Sequence, residues 1–143
     1  VKNLAVLQQL LARLRALFFI HWTAHWQASG PQEYGDHQLF SRLYTAIDAE
    51  IDGLAEKMVA GYGNDAVDLN RGVLLMAKAI VGAPGKGVER SLAAEKAFQE
   101  WLKAAYEALE KADDLSLGMD NFLQGVADKH ETHVYLLKQR AGG

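Results

Sequence analysis

The sequence predicts an all-α protein: a four-helix bundle with a short helix in the crossover between its second and third long helices. Apolar residues recur at three- and four-residue spacing through four long segments, and the breaks between them are Gly-Pro, Gly-x-Gly or Asp-Asp clusters. No stretch shows the alternation of a half-buried strand. At 143 residues, half of them hydrophobic, the chain can bury one substantial core, and its simplest organisation is one domain over 1–143.

The first helix is expected from about Asn3 to Ala28, because Leu4, Leu7, Leu11, Leu14 and Phe18 form one stripe that continues through His21 to His25. Gly30-Pro31 ends it, since Gly supplies a left-handed cap and Pro cannot continue the ladder. The second helix starts near Tyr34 to Asp36, with Asp36 read as its N-cap. It runs on Phe40, Leu43, Ile47, Leu54 and Met58 to Gly61-Tyr62-Gly63, and Glu50 falls on this apolar stripe. Val67 to Val81 reads as the short helix, closed by GAPGKG. Leu92, Phe98, Leu102 and Leu109 carry a third long helix from Val88 to Ala112. A fourth runs from about Ser116 to Arg140, burying Met119, Leu123, Val126 and Leu137, with His130 and His133 in the same register.

Composition removes several classes of function. The net charge is −3 and the 15 Lys and Arg are scattered, so no basic block announces nucleic-acid or anionic-membrane binding. No apolar run approaches the roughly 20 residues of a membrane span, and the start lacks a signal-peptide layout. The absence of cysteine excludes disulfides and thiolate ligands and fits a reducing, cytoplasmic setting.

Histidines and carboxylates concentrate between His25 and Glu56, and imidazole with carboxylate suits iron, zinc or manganese. If the first two helices pack antiparallel about Pro31, His25 faces His37 at one level. Asp52 and Glu56, spaced i, i+4, share a helix face. Asp52 lies fifteen residues beyond His37, roughly 22 Å along the same helix. One chain cannot bring both pairs to one ion. A twofold-related copy with its second helix antiparallel can, giving two equivalent sites per dimer.

The pattern His25-Trp26, Gly30, His37, Asp52, Glu56 and the Gly63 region resembles the signature of the Dps proteins, the ferritin-like mini-ferritins. The likeness spans almost the whole chain and is sharpest from His25 to Gly63. It implies a ferritin-like bundle assembled into a twelve-subunit shell, with iron(II) oxidised by peroxide or dioxygen at twofold interfaces and iron(III) stored inside. In such a ferroxidase, His25 and His37 of one chain and Asp52 and Glu56 of its partner bind the iron, with zinc or manganese as substitutes. The protein then guards against oxidative stress. The family usually has an aspartate four residues after the second histidine, where this sequence has Ser41. An alternative is therefore a shell that sequesters metal or protects DNA without turnover. With only Lys2 near the start and Lys138-Gln139-Arg140 near the end, little or no DNA affinity is expected.

The family topology, with the fourth helix parallel to the first, brings a second group to one level. His21 comes level with Ser41, making it the nearest candidate to compensate for the missing aspartate. His133 comes level with His21, His130 lies one turn lower, Glu95 reaches a similar level, and Glu50 is about two turns below His21, with Glu95 or Glu50 as the carboxylate. These residues form a candidate intrasubunit metal site, or else hydrogen-bonded core histidines. Asp48, one turn before Asp52, could widen the acidic face. Asp113, Asp114 and Asp120 are read chiefly as caps of the fourth helix, and Trp22 and Trp26 as packing residues beside His25.

Overall fold

The computed structural model describes residues 3–142. The long helices are α1 (Leu4–Gln27), α2 (Glu33–Tyr62), α4 (Gly87–Lys111) and α5 (Leu117–Gly142), and α3 (Leu69–Val81) is the short helix of the crossover. Every predicted helix is present, with ends displaced by no more than two or three residues. A 3-10 turn, Asn64–Ala66, precedes α3 and was not anticipated.

Each boundary has a local cause. Gly30 adopts φ 82 between α1 and α2, and Gly63 adopts φ 92 where α2 stops, both in the region glycine enters without steric cost. The side chain of Asp68 accepts from the backbone N–H of Arg71 and caps α3. At α5 the Ser116 hydroxyl accepts from Met119 N–H. Two of the aspartates expected at this helix start also have side-chain partners. Asp114 accepts from the Asn3 amide, and Asp120, in the first turn, accepts from the Tyr106 hydroxyl and the Gln124 amide. Asp36 is likewise not an N-cap, since Gln32 holds that position. Instead, Asp36 is buried and forms a two-pronged ion pair with the Arg140 guanidinium, closing the end of the bundle where α2 starts and α5 stops.

α1 packs chiefly against α2 and also against α3 and α4, while α5 packs against α4 and α2. The order around the bundle is therefore α1, α2, α5, α4. Asn3 meets Asp114, and His21 meets Ser91, so α1 runs antiparallel to α4 and parallel to α5. The main core is built from Leu7, Leu10, Leu14, Ile47, Leu54, Met58 and their neighbours on α4 and α5, all buried. By length and composition α1 is apolar enough to cross a membrane, contrary to the sequence expectation. Half of that apolar window is buried inside the bundle. α3 buries none of its residues within the chain and leaves Leu69, Leu74 and Val81 exposed.

Candidate metal centres

His25 on the last turn of α1 and His37 on the first turns of α2 face one another as the helix-rise argument predicts. Their rings stack with centroids 3.6 Å apart. Each ring nitrogen Nδ1 donates to the other residue's backbone carbonyl, His25 to His37 at 2.7 Å and His37 to His25 at 2.9 Å. A carbonyl can only accept, so both rings carry a proton on Nδ1, and in the neutral ring the lone pair then lies on Nε2. Among the described residues neither Nε2 takes a hydrogen bond. Tyr44 stands edge-on to His25 at 5.3 Å, and Trp22 and Trp26 pack against each other at 4.5 Å, with Trp26 largely exposed.

Asp48, Asp52 and Glu56 all lie exposed on α2. Because α2 is one helix of 30 residues, the separation of roughly 22 Å between His37 and Asp52 stands, and the chain does not bring its own carboxylates to its own histidine pair. Ser41 is half-buried one turn beyond His37 and lines a surface cleft of ≈ 430 Å³ together with Thr45, Lys129, Thr132 and His133. His21 does not turn toward Ser41, so it does not stand in for an aspartate there.

His21 instead joins a second constellation, which lies inside the bundle and is complete within one chain. Glu95 on α4 is fully buried and is its centre. Its Oε2 meets His21 Nε2 at 2.7 Å and His133 Nδ1 at 3.3 Å, and its Oε1 meets His130 Nδ1 at 2.6 Å. The outer nitrogens are also engaged. His130 Nε2 reaches Glu50 Oε1 at 2.7 Å, and His21 Nδ1 reaches the buried hydroxyl of Ser91 at 2.9 Å. The three imidazoles are almost wholly buried, and Phe98 packs on the His130 ring.

Burial opposes charge on all of these groups. At His130 it is outweighed by the carboxylates of Glu95 and Glu50, and the pKa rises to about 9. Burial would also raise Glu95, but the imidazoles, His130 foremost, hold it well below the ordinary carboxylate value. At His21 burial prevails and lowers the pKa. Near neutral pH the cluster is thus an imidazolium, His130, gripped between two carboxylates.

Of the residues singled out in the sequence, His21, Glu50, Glu95, His130 and His133 come together in the core, and His25 and His37 come together at the surface. Asp48, Asp52 and Glu56 meet neither group within the chain. Ser91 was missed. Its signal was a small polar residue one turn before Glu95, on the stripe that Leu92 and Phe98 mark as inward-facing.

Fold and geometry together define a ferritin-like four-helix bundle. Among known proteins the chain is similar to Dps proteins. It is 26% identical over 136 residues to DNA protection during starvation protein 2 of Bacillus anthracis, covering 93% of this chain and 92% of that protein. The fold is shared with solved Dps structures. That of Thermosynechococcus elongatus has a TM-score of 0.82 at 20% identity, covering 98% of this chain and 90% of the other. That of Bacillus brevis has a TM-score of 0.81 at 22% identity, covering 97% and 94%. The Dps protein of Vibrio cholerae, described as a member of a broad superfamily of ferritin-like diiron-carboxylate proteins, matches with a TM-score of 0.81 at 16% identity, covering 98% and 89%. No family model matches the chain. The resemblance to the Dps proteins read from the sequence is borne out by both the curated relative and the solved structures.

Proposed function

We propose that the protein is an iron-storing mini-ferritin and ferroxidase of the Dps type. In this reading it forms one domain over 1–143 and a cytoplasmic homo-oligomeric shell, with twelve subunits as in the family. One observation carries the reading: two stacked imidazoles have their Nδ1 protons committed to backbone carbonyls, which makes Nε2 the metal-binding atom of each neutral ring. A backbone carbonyl that locks the tautomer in this way is the usual outer partner of a metal-binding histidine.

The site is completed by Asp52 and Glu56 of a twofold-related copy, with Asp48 beside them. Imidazole nitrogen holds iron(II), and carboxylate oxygen favours iron(III), so the mixed set promotes loss of an electron from the bound ion. Each iron(II) gives up one electron. Peroxide accepts two, with two protons, and leaves as water. Carboxylates exposed on α2 are free to receive the product and pass it inward. Zinc or manganese would occupy the same donors without being turned over in the same way.

Mixing tests the shared site directly. A His25→Ala/His37→Ala variant and an Asp52→Asn/Glu56→Gln variant should each be inactive alone. Co-assembled at random, they should recover about a quarter of wild-type iron oxidation, because each mixed dimer restores one of its two sites. No recovery would show that the two residue pairs do not work across subunits. DNA binding is not part of the proposed function, and the Arg140 guanidinium is already committed to Asp36. A tight, salt-sensitive gel shift would contradict this.

A further inference from the structure

We infer that the core of each chain holds a second, mononuclear metal site, with Glu95, His130 and His133 as ligands and His21 as the fourth donor. It is separate from the intersubunit site and owes nothing to a partner chain. One donor atom from each of Glu95, His130 and His133 lies within 4.8 Å of the other two. A tetrahedral ion with bonds of about 2.1 Å needs donors about 3.4 Å apart, so the widest pair would close by at most about 1.4 Å. His21 Nε2 reaches the same Glu95 oxygen as His133 from α1 but lies outside the group of donors within 4.8 Å of one another, so it joins the ion only as the site contracts.

Which residues bind and which only orient follows from the two ends of each ring. The His130 ring stands between Glu95 on its Nδ1 side and Glu50 on its Nε2 side. An ion bonded to Nδ1 therefore leaves Glu50 accepting the Nε2 proton, a carboxylate–histidine–metal arrangement that fixes ring and tautomer. Ser91 does the same for His21, accepting from Nδ1–H and leaving Nε2 for the ion. Glu50 and Ser91 are thus positioning residues.

The charge count agrees. When an ion displaces the proton from His130, the carboxylates of buried Glu95 and of Glu50 at its edge offer two negative charges, which a divalent cation cancels. Three nitrogens and one carboxylate oxygen suit zinc, iron(II) or manganese. Four protein donors in a buried site leave no open position, the hallmark of an ion that is retained rather than processed. The cleft lined by Ser41 and His133 is one approach from solvent. Arg42 and Lys129 also line it, so cation exchange there is opposed by charge.

The test uses the assembled protein with cobalt(II) as probe. His25→Ala/His37→Ala protein, stripped with chelator, should bind about one cobalt per chain, with visible absorption of tetrahedral intensity and an anomalous-scattering peak between Glu95 and His133. Adding His133→Gln, whose contact with Glu95 is the longest of the three, should abolish that peak while leaving the helical signal intact. Ser91→Ala should weaken cobalt binding by roughly 10-fold or more without removing the peak. No cobalt inside the His25→Ala/His37→Ala bundle, or unchanged cobalt binding after His133→Gln, would overturn the inference. Neither result depends on whether the intersubunit site oxidises iron.

Discussion

The two histidine groups of this chain use the same side chain in opposite ways. At the surface, His25 and His37 spend one nitrogen each on a backbone carbonyl and keep the other free. In the core, His21, His130 and His133 all turn a nitrogen to one carboxylate, and their remaining contacts stay inside the bundle. In the proposed function the surface pair is completed only by a second chain, so its chemistry would be tied to assembly. The core group is complete, so its state is tied to folding. Imidazole burial thus decides which equilibrium an ion would report on.

The most severe way to break this contrast is Glu95→Ala. It leaves three buried imidazoles without their shared partner and should destabilise the protein by about 3 kcal/mol or more, read from the urea midpoint. A loss no greater than that of a surface substitution would mean the core group adds nothing to the fold.

A change of pH probes the same group with no mutation. The folded pKa of His130, about 9, lies above its ordinary 6.5, so its contribution is fully present below pH 6.5 and is lost as pH rises through about 9. The pKa of Glu95 is depressed, so its contribution is present above about 4.5 and lost as pH falls through the depressed value. The pKa of His21 is lowered, so its neutral burial costs stability as pH falls below 6.5. Chelator-treated protein should therefore be most stable near pH 6.5 and lose on the order of a few kcal/mol by pH 9. With zinc the upper limb should flatten or reverse, because the ion replaces the proton on His130. Urea midpoints at pH 6.5 and 9, with chelator and with zinc, check both limbs.

The smallest effect on stability belongs to the surface. His25→Ala should cost under about 1 kcal/mol, since the side chain is only half-buried and its carbonyl partner can turn to water. The same change should slow iron oxidation at least ~10-fold. If it instead destabilises the chain as much as Glu95→Ala, the division between an assembly site and a folding site fails.

What the sequence revealed followed from helix geometry. Rise per residue alone placed His25 opposite His37 and separated His37 from Asp52, because both statements concern position along straight helices. The common level of His21 and His133 followed once α5 was taken as parallel to α1. Rotation about the helix axis was harder to read. Glu50 was expected about two turns below His21, yet it meets His130, and nothing in the sequence neighbours shows that Glu95 is enclosed by three imidazoles while Glu50 keeps an edge in solvent. Asp36 stood before a helical run as a cap would, but its partner Arg140 is 104 residues away, and a tertiary ion pair overrode the local preference.

Glu95 has one further consequence that concerns neither ions nor iron. Its contacts and those of His130 join all four long helices at a single level: His21 from α1, Glu50 from α2, Glu95 from α4, and His130 and His133 from α5. Leucine stripes are forgiving, and one helix can slide past another by a turn, about 5.4 Å, and still bury similar surface. Such a slide would strand an imidazole or a carboxylate in the dark. The cluster works as a detent, a single notch that selects one vertical alignment from the several that the apolar packing would accept.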